Sequence, residues 1–348
     1  MWLRKKHKPE GMTAVIDSLK RPLKDLRISI TDRCNLRCQY CLPEELFGPG
    51  FAFSPREEIL TYEEIDRAVE AFLPLGIRKV RITGGEPLLR RDVADLVRLL
   101  RKTAPDLDLA ITTNGLGLEE HLDSLREAGL DRLNVSLDAI DPPIARKIAG
   151  RPLNPERVWA AVVRARAMGF GVKLNTVIKR GVNECQVLPL AERCRKEEIE
   201  LRFIEYMDVG RSNGWDPQEV VTAQEIQEKI SLRYPLNAQA PEGHGATARR
   251  HRYVDGRGVV GFINSISQPF CQDCNRARIS ATGELHTCLF SEFGHPLKRW
   301  LREEKLDRHS LAERIGKVWK GRSDRYSEVR TPLASAPSSR TEMWQIGG

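Results

Sequence analysis

The stretch LRISITDRCNLRCQYC, residues 26–41, decides how this chain is read. Residues 26–30 alternate apolar with polar, the period-two pattern of a half-buried strand. The strand runs directly into Cys34, Cys38 and Cys41, spaced C-x3-C-x2-C, so a loop at the strand's end carries the three thiols. Three thiolates on one short loop suit a cubane iron–sulfur cluster and leave one of its four irons without a cysteine, open for chemistry. A structural zinc ion normally wants four closed ligands from spaced pairs, and no fourth Cys or His lies nearby in the chain.

Outward from this stretch, further β-branched runs occur at 80–83, 109–114, 132–138, 172–178 and 201–207, each followed by an amphipathic segment. Thr61 with Glu64 forms a capping-box pattern, Pro87 stands where a first-turn proline opens LLRRDVADLVRLLR, and Pro155 opens ERVWAAVVRARAMG. Gly76, Gly129 and Gly169 fall where helices should stop. Strand–helix units of about 30 residues predict an α/β protein with a parallel sheet. The pattern alone leaves an open doubly wound sheet and a full or partial barrel both standing.

Past about residue 215 the pattern changes. A helix near 222–232 precedes the turn-rich stretch 233–250, then two hairpin candidates follow, 253–263 turning at Asp255-Gly256 and 276–290 turning at Thr282-Gly283. Helical segments at 296–304 and 310–320 come next. The expected organisation is a basic, frayed leader over 1–22 with Met12 as a plausible alternative start, a main domain over 23–230, and a smaller domain over 231–348. The composition of the closing residues predicts a flexible tail.

A second triad, Cys271, Cys274 and Cys288, has the spacing C-x2-C-x13-C. Here spacing does not choose between a cluster and zinc, because His286 or His295 could complete a Cys3His set. Cys185 and Cys194 stand nine apart on a helical stretch, two and a half turns, so they face opposite sides as ordinary packing residues.

The 348 residues contain 56 Lys plus Arg against 48 Asp plus Glu, a net charge of +8. Both signs are scattered as on a solvated surface, so the bulk charge says little about partners. No run approaches the roughly 18 apolar residues of a membrane span, and the basic opening MWLRKKHKPE is not followed by an apolar signal core. A cytoplasmic location is expected, where disulfides are rare and clustered thiols read as metal or redox sites. A zinc-stabilised, basic nucleic-acid-binding protein is the contrasting reading. It leaves unexplained GGEP at 84–87, whose two glycines permit close backbone approach at a strand end.

The cysteine loop with Tyr40 before its last cysteine, together with GGEP, resembles the radical S-adenosylmethionine (SAM) superfamily. From about Asp17 to Gly348 the chain further resembles the GTP 3',8-cyclase family of molybdenum cofactor biosynthesis. The shared stretches are DLRISITDRCNLRCQYC, VRITGGEPLLRRD, TTNG, NVSLDA, VKLNTV, LRFIEYM, CQDCNRARIS and the terminal GlyGly. Ser18-Leu19-Lys20-Arg21 departs from a Phe-Gly-Arg pattern frequent there, which leaves the leader's role open.

The resemblance implies a partial parallel (β/α)6 barrel of radical SAM type with a smaller C-terminal iron–sulfur domain. It implies two 4Fe-4S clusters, on Cys34, Cys38 and Cys41 and on Cys271, Cys274 and Cys288. It places Tyr40, Gly85, Glu86, Ser136, Asn175 and Met207 beside SAM, and Arg27, Lys79, Arg81, Thr112, Lys173, Arg202, Arg276 and Arg278 around GTP. Arg27, Arg276 and Arg278 would also act catalytically.

By the same resemblance, reductive cleavage of SAM gives a 5'-deoxyadenosyl radical that takes the ribose 3' hydrogen, after which C3' attacks C8 of guanine. Gly347 and Gly348 would enter the active site, against the tail's composition. An external electron donor, a homodimer and hand-off of product to the cyclic pyranopterin monophosphate synthase are implied as well, with no membrane or nucleic-acid partner. Another radical SAM enzyme with an auxiliary cluster, acting on peptide or RNA, is the alternative within the superfamily.

Overall fold

The computed structural model describes residues 14–241, 243, 245–330 and 341–347. Six parallel strands follow the expected runs: β1 (Asp25–Ser29), β2 (Lys79–Thr83), β3 (Asp108–Thr113), β4 (Arg132–Ser136), β5 (Gly171–Ile178) and β6 (Glu200–Glu205). Their neighbours in space follow their order in the chain. Alternation decides the two faces. Leu26, Ile28, Val80, Ile82, Leu109, Ile111, Leu133, Val135, Leu174 and Leu201 are fully buried against the helices, while Arg27, Arg81, Asn134, Lys173 and Arg202 occupy the opposite parity.

The helices start largely where their chemistry predicts. Thr61 caps Tyr62–Phe72 in a complete capping box, and Asn154 caps Pro155–Ala167 with proline in its first turn. Pro87 is a correction: it opens only a short 3-10 turn, Pro87–Leu89, capped by the Glu86 side chain, and the helix itself runs Val93–Thr103. The turn ends because Arg90 is extended and Asp92 left-handed (φ +57°), which interrupts the helical backbone where the pattern suggested continuity.

The C-terminal part adds β7 (Leu236–Ala238), β8 (Arg249–Tyr253), β9 (Val259–Ile263), β10 (Arg276–Ile279) and β11 (Leu285–His286). Both predicted hairpins form, β8–β9 and β10–β11. Among the described residues they build no sheet of their own. Strand β9 joins β6 and β10 joins β1, both in parallel, extending the sheet at its two edges to eleven strands.

In a flat sheet β10 and β9 would stand seven strand spacings apart, about 34 Å. Yet Ile263 of β9 and Arg276 and Arg278 of β10 line one cleft of about 130 Å³. The sheet therefore curls into a partial barrel with its polar parity inside.

Both chain ends depart from their compositional reading. The expected frayed leader is corrected over residues 14–22: Val15 N donates to Leu75 O (2.9 Å), Leu23 N donates to Val15 O (3.0 Å), and Asp17 and Arg21 are buried. The side chains of Asp17 and Arg21 pair with each other, so burial costs them no unmet charge. Residues 1–13, Met12 included, lie outside the described residues.

At the other end, Met343–Ile346 is a short helix with Ile346 fully buried. Residues 331–340 and Gly348 lie outside the described residues. Among the described residues no helix is long and apolar enough to cross a membrane.

The GGEP turn leans on the backbone that leads into the first cysteine loop. Gly85 N donates to Thr31 O (2.9 Å) and Glu86 N to Arg33 O (2.8 Å). A Cβ on Gly85 would stand 2.3 Å from Arg33 O, against backbone that cannot step aside. Gly85→Ala is expected to lower apoprotein stability by about 1–3 kcal/mol in urea unfolding, and to reduce the iron bound after reconstitution. Unchanged stability with full iron would show that this contact is not limiting.

Candidate functional site

The first cysteine loop is shaped by what surrounds it. Leu42 N and Cys41 N both donate to Cys38 O at 2.9 Å, closing a tight turn. Arg37, between the first two cysteines, donates from Nη1 to Cys34 O (2.9 Å) and Leu36 O (2.8 Å), and from Nε to Phe47 O (2.7 Å). Its own N–H donates to Ala149 O.

Burial pushes the Cys34 thiol up to about 11. Cys38 rises further, from burial and then from the charges of Asp138, Cys34 and Cys41; Cys41 rises from burial and then Cys34. Three converging thiols that cannot ionise together without nearby positive charge fit the donor set of an iron–sulfur cluster. Among the described residues no three His, Cys, Asp or Glu side chains are gathered as ligands of a single metal ion.

Tyr40 donates its hydroxyl to Asp138 Oδ2 (2.8 Å), and Val177 N donates to Asp138 Oδ1 (2.8 Å). Burial raises the Asp138 carboxyl to about 6, against the pull of these two donors. Asn114 Nδ2 donates to Asn35 Oδ1 (2.8 Å) inside the loop.

Glu86 is wholly engaged within the protein: Leu88 N (3.0 Å) and Thr113 Oγ1 (2.7 Å) donate to Oε1, and Asn114 N (2.7 Å) donates to Oε2. It braces GGEP against TTNG, and burial raises its carboxyl to about 7. Asp138 and Asn114 lie within stretches quoted from the sequence, but only the fold reveals what they hold. Arg37 carried no signal beyond its place between two cysteines.

Ser136, the last residue of β4, pairs in register with Asn175, three residues before the end of β5. Asn175 and Met207 line the cleft that also contains Cys271, Cys274 and Cys288. Ligand sites form at the carboxyl ends of parallel strands for this topological reason. The tail closes part of the mouth. Trp344 stands 5.6 Å from the Phe47 ring and 6.1 Å from Phe53, with Cys34 and Cys41 packed against the same cluster. A Cβ on Gly347 would meet Thr83 Cγ2 at 2.2 Å, so only glycine fits against the end of β2 there.

The second triad is assembled from a 3-10 turn, Cys271–Asp273, its cap Cys274, and Cys288 just beyond β11. Burial raises the Cys274 thiol, but Arg276, Arg322, Arg278 and the Arg276 N–H outweigh it and hold it down to about 6. Cys288 is pushed up to about 11 by burial and then by Asp324. A triad lined by cations, with the Cys274 thiolate favoured, fits a cluster. His286 instead pairs Nδ1 with Ser291 Oγ (2.8 Å), its Nε2 lying 3.6 Å from Glu284, and His295 pairs its backbone with Leu285.

A row of cations lines the same cleft as the second triad. In register, Arg278 of β10, Arg27 of β1 and Arg81 of β2 are direct neighbours, and one layer below them lie Arg276, Asp25 and Lys79. Arg27 Nε, Arg81 Nε and Arg278 Nε and Nη1 are buried without a hydrogen-bond partner, as are Thr112 Oγ1 and Asn175 Oδ1.

Burial, then the neighbouring guanidinium, pushes Arg27 and Arg81 down to about 9; burial, then Arg276, pushes Arg278 down to about 10. Lys173 and Arg202 reach the same cleft but already share Glu200, at 3.4 and 2.7 Å. Lys79 lies 3.4 Å from Asp25. Like charges side by side in a buried row are tolerated where a polyanion completes them.

Comparisons with known proteins agree with this geometry. The Radical SAM superfamily model matches residues 28–194, and the Molybdenum Cofactor Synthesis C model matches 199–328. The GTP 3',8-cyclase of Acidothermus cellulolyticus is 50% identical over 319 residues, covering 90% of this chain and 88% of that protein. That of Staphylococcus saprophyticus is 42% identical over 337 residues, covering 96% and 99%.

Among solved structures, Streptococcus suis SuiB bound to S-adenosylmethionine superposes with a TM-score of 0.59 at 15% identity, over 89% of this chain and 68% of that one, a likeness of fold. With 42% to 50% of residues shared along nine-tenths or more of its length, and both halves matched in order, the chain belongs to the GTP 3',8-cyclase family of radical SAM enzymes.

Proposed function

We propose that this chain converts GTP to (8S)-3',8-cyclo-7,8-dihydroguanosine 5'-triphosphate, an early step of molybdenum cofactor synthesis. The observation that carries the reading is the buried row Arg278–Arg27–Arg81, its Nε donors unpaired, in one cleft with Cys271, Cys274 and Cys288. A triphosphate supplies the charge and acceptors that this row lacks.

When bound, a cluster on Cys34, Cys38 and Cys41 together with SAM supplies a 5'-deoxyadenosyl radical able to take the ribose 3' hydrogen. Tyr40, held by Asp138, and the Gly85 backbone shape the SAM side of the mouth, with Ser136, Asn175 and Met207 on the facing strand ends. Arg27, Arg81, Lys79, Lys173 and Arg202 bind the triphosphate, and Thr112 offers a hydroxyl to the nucleotide.

Cys271, Cys274 and Cys288 would hold a second cluster, which would offer an iron without a cysteine ligand to the guanine base. Arg276 and Arg278, on one face of β10, stabilise charge beside it and, with Arg27, act catalytically. Holding both ends of GTP presents C3' to C8, which is what an intramolecular attack requires above all. The tail glycines close this arrangement. An external donor supplies electrons, the enzyme works as a homodimer in the cytoplasm, and its product passes to the cyclic pyranopterin monophosphate synthase.

The deciding experiment is 5'-deoxyadenosine formation by anaerobically reconstituted protein with SAM and a strong reductant. Formation stimulated by GTP, and by neither ATP nor buffer alone, is the expected outcome. Formation indifferent to nucleotide would move the substrate to peptide or RNA, and none from protein with both clusters verified would overturn the enzymatic reading.

A pH dependence follows from Lys79, which burial and then Arg81 hold down to about 7 in the free protein. Below that pH the ammonium is already charged; above it, binding a triphosphate must draw a proton from solution. GTP affinity should therefore fall as pH rises above 7, by at most about tenfold per unit. Calorimetry in buffers of differing ionisation heat should register the proton uptake, and Lys79→Met should abolish it.

A further inference from the structure

The residues that position the second cysteine triad are not confined to its own loop. Asp17, Arg21, Arg322 and Asp324 come from opposite ends of the chain and form one ion network behind it. Arg21 Nε meets Asp17 Oδ2 at 2.5 Å, and Arg322 Nη1 reaches the same oxygen at 3.5 Å. Arg322 Nε lies 3.2 Å from Asp324 Oδ2. The side chains of Asp17, Arg21 and Arg322 are at most 1% exposed, and that of Asp324 is 31% exposed.

Burying three charges is an expensive way to gain stability, since well-packed apolar groups serve as well or better. What these side chains touch explains them. Arg21 Nη1 donates to Cys271 O (2.9 Å), Arg322 Nη1 donates to Cys274 O (2.7 Å), and Thr287 Oγ1, next to Cys288, donates to Asp324 Oδ2 (2.6 Å). Each cysteine of the triad thus has one member of the network at its own or its neighbour's backbone or side chain. Asp17 serves both arginines and also accepts from Arg21 N (2.8 Å) and Leu19 N (2.9 Å), which bends the N-terminal segment around them. Ser18 Oγ donates to Arg322 O (2.5 Å), and Trp319 Nε1 donates to Arg21 O (3.1 Å).

We infer that Asp17, Arg21, Arg322 and Asp324 are positioning residues for the second cluster, and that Arg322 and Asp324 set its reduction potential with opposite signs. The inference rests on the reading that Cys271, Cys274 and Cys288 hold an iron–sulfur cluster. Reduction adds one negative charge. A guanidinium bonded to the backbone of one ligand favours that charge, and a carboxylate beside another disfavours it. The frame also ties the potential to the N-terminal segment, because Arg322 keeps its place through Asp17 and Ser18.

The test is a potentiometric titration, followed by electron paramagnetic resonance, of the full-length chain carrying Cys34→Ala, Cys38→Ala and Cys41→Ala, so that a single cluster is read. Arg322→Gln should lower the potential, by about tenfold in the reduced-to-oxidised ratio, which is ~59 mV for a one-electron couple. Asp324→Asn should raise it, and Arg322→Lys, which keeps the charge, should stay near the parent.

A purely structural frame would not produce opposite signs. Potentials of Arg322→Gln and Asp324→Asn that move together, or stay put, with four irons per chain would overturn the inference. If Arg322→Gln loses its iron, the partly exposed Asp324→Asn decides: an unmoved or lowered potential defeats the proposal. Zinc in place of iron in the parent chain would instead overturn the two-cluster reading itself.

Discussion

Three guanidinium groups on adjacent strands repel one another, and much of this chain is arranged to keep Arg278, Arg27 and Arg81 side by side. Arg27 and Arg81 meet because β1 and β2 are parallel and in register. Arg278 joins them only because the chain, some 250 residues later, lays β10 along the free edge of β1. The cost of that row is borne by an apolar convex face whose inward-packed residues are fully buried. Partial neutralisation comes from Asp25, placed one layer below. The binding face is therefore charged before any ligand arrives, the condition for strong and oriented attraction of a polyanion.

The two cysteine triads obey a similar logic. Neither loop holds its own shape. The first leans on the GGEP turn, on the end of the helix Pro142–Ala149 through Arg37, and on Asp138 through Tyr40. The second leans on arginines from both ends of the chain. Short loops rich in cysteine have little apolar surface to bury, so external hydrogen bonds must supply the order that a cluster requires. The aromatic group of Phe47, Phe51, Phe53 and Trp344 packs beside Cys34 and Cys41, and its last member belongs to the C-terminal tail.

Local periodicity carried well into the structure. The six parallel strands, the capping box at Thr61, both hairpin turns and the strand-end placement of Ser136 were all legible, because each depends on residues close in sequence. Pro87 misled because its helix-like context did not reveal that Arg90 would turn extended, its guanidinium donating to Ile30 O and Leu60 O. The leader misled for a related reason. Asp17 and Arg21 look like ordinary surface charges until Arg322 and Asp324 arrive from the far end of the chain. Composition likewise marked the tail as flexible, although Ile346 is fully buried and Gly347 packs against Thr83.

By itself, then, the sequence determined the strand–helix rhythm, the parity that puts cations on one face of the sheet, and the two sets of three thiols. These follow from spacing along a backbone whose local geometry is nearly invariant. The tertiary structure alone decided that both hairpins would extend one sheet, and that its curl would bring β9 and β10 to one cleft. It also decided which carboxylates are spent on bracing, as Glu86 is, and which cations remain without a partner, as at Arg27 Nε. Contacts between residues hundreds of positions apart depend on how strands pair at their edges, and no local pattern encodes that pairing.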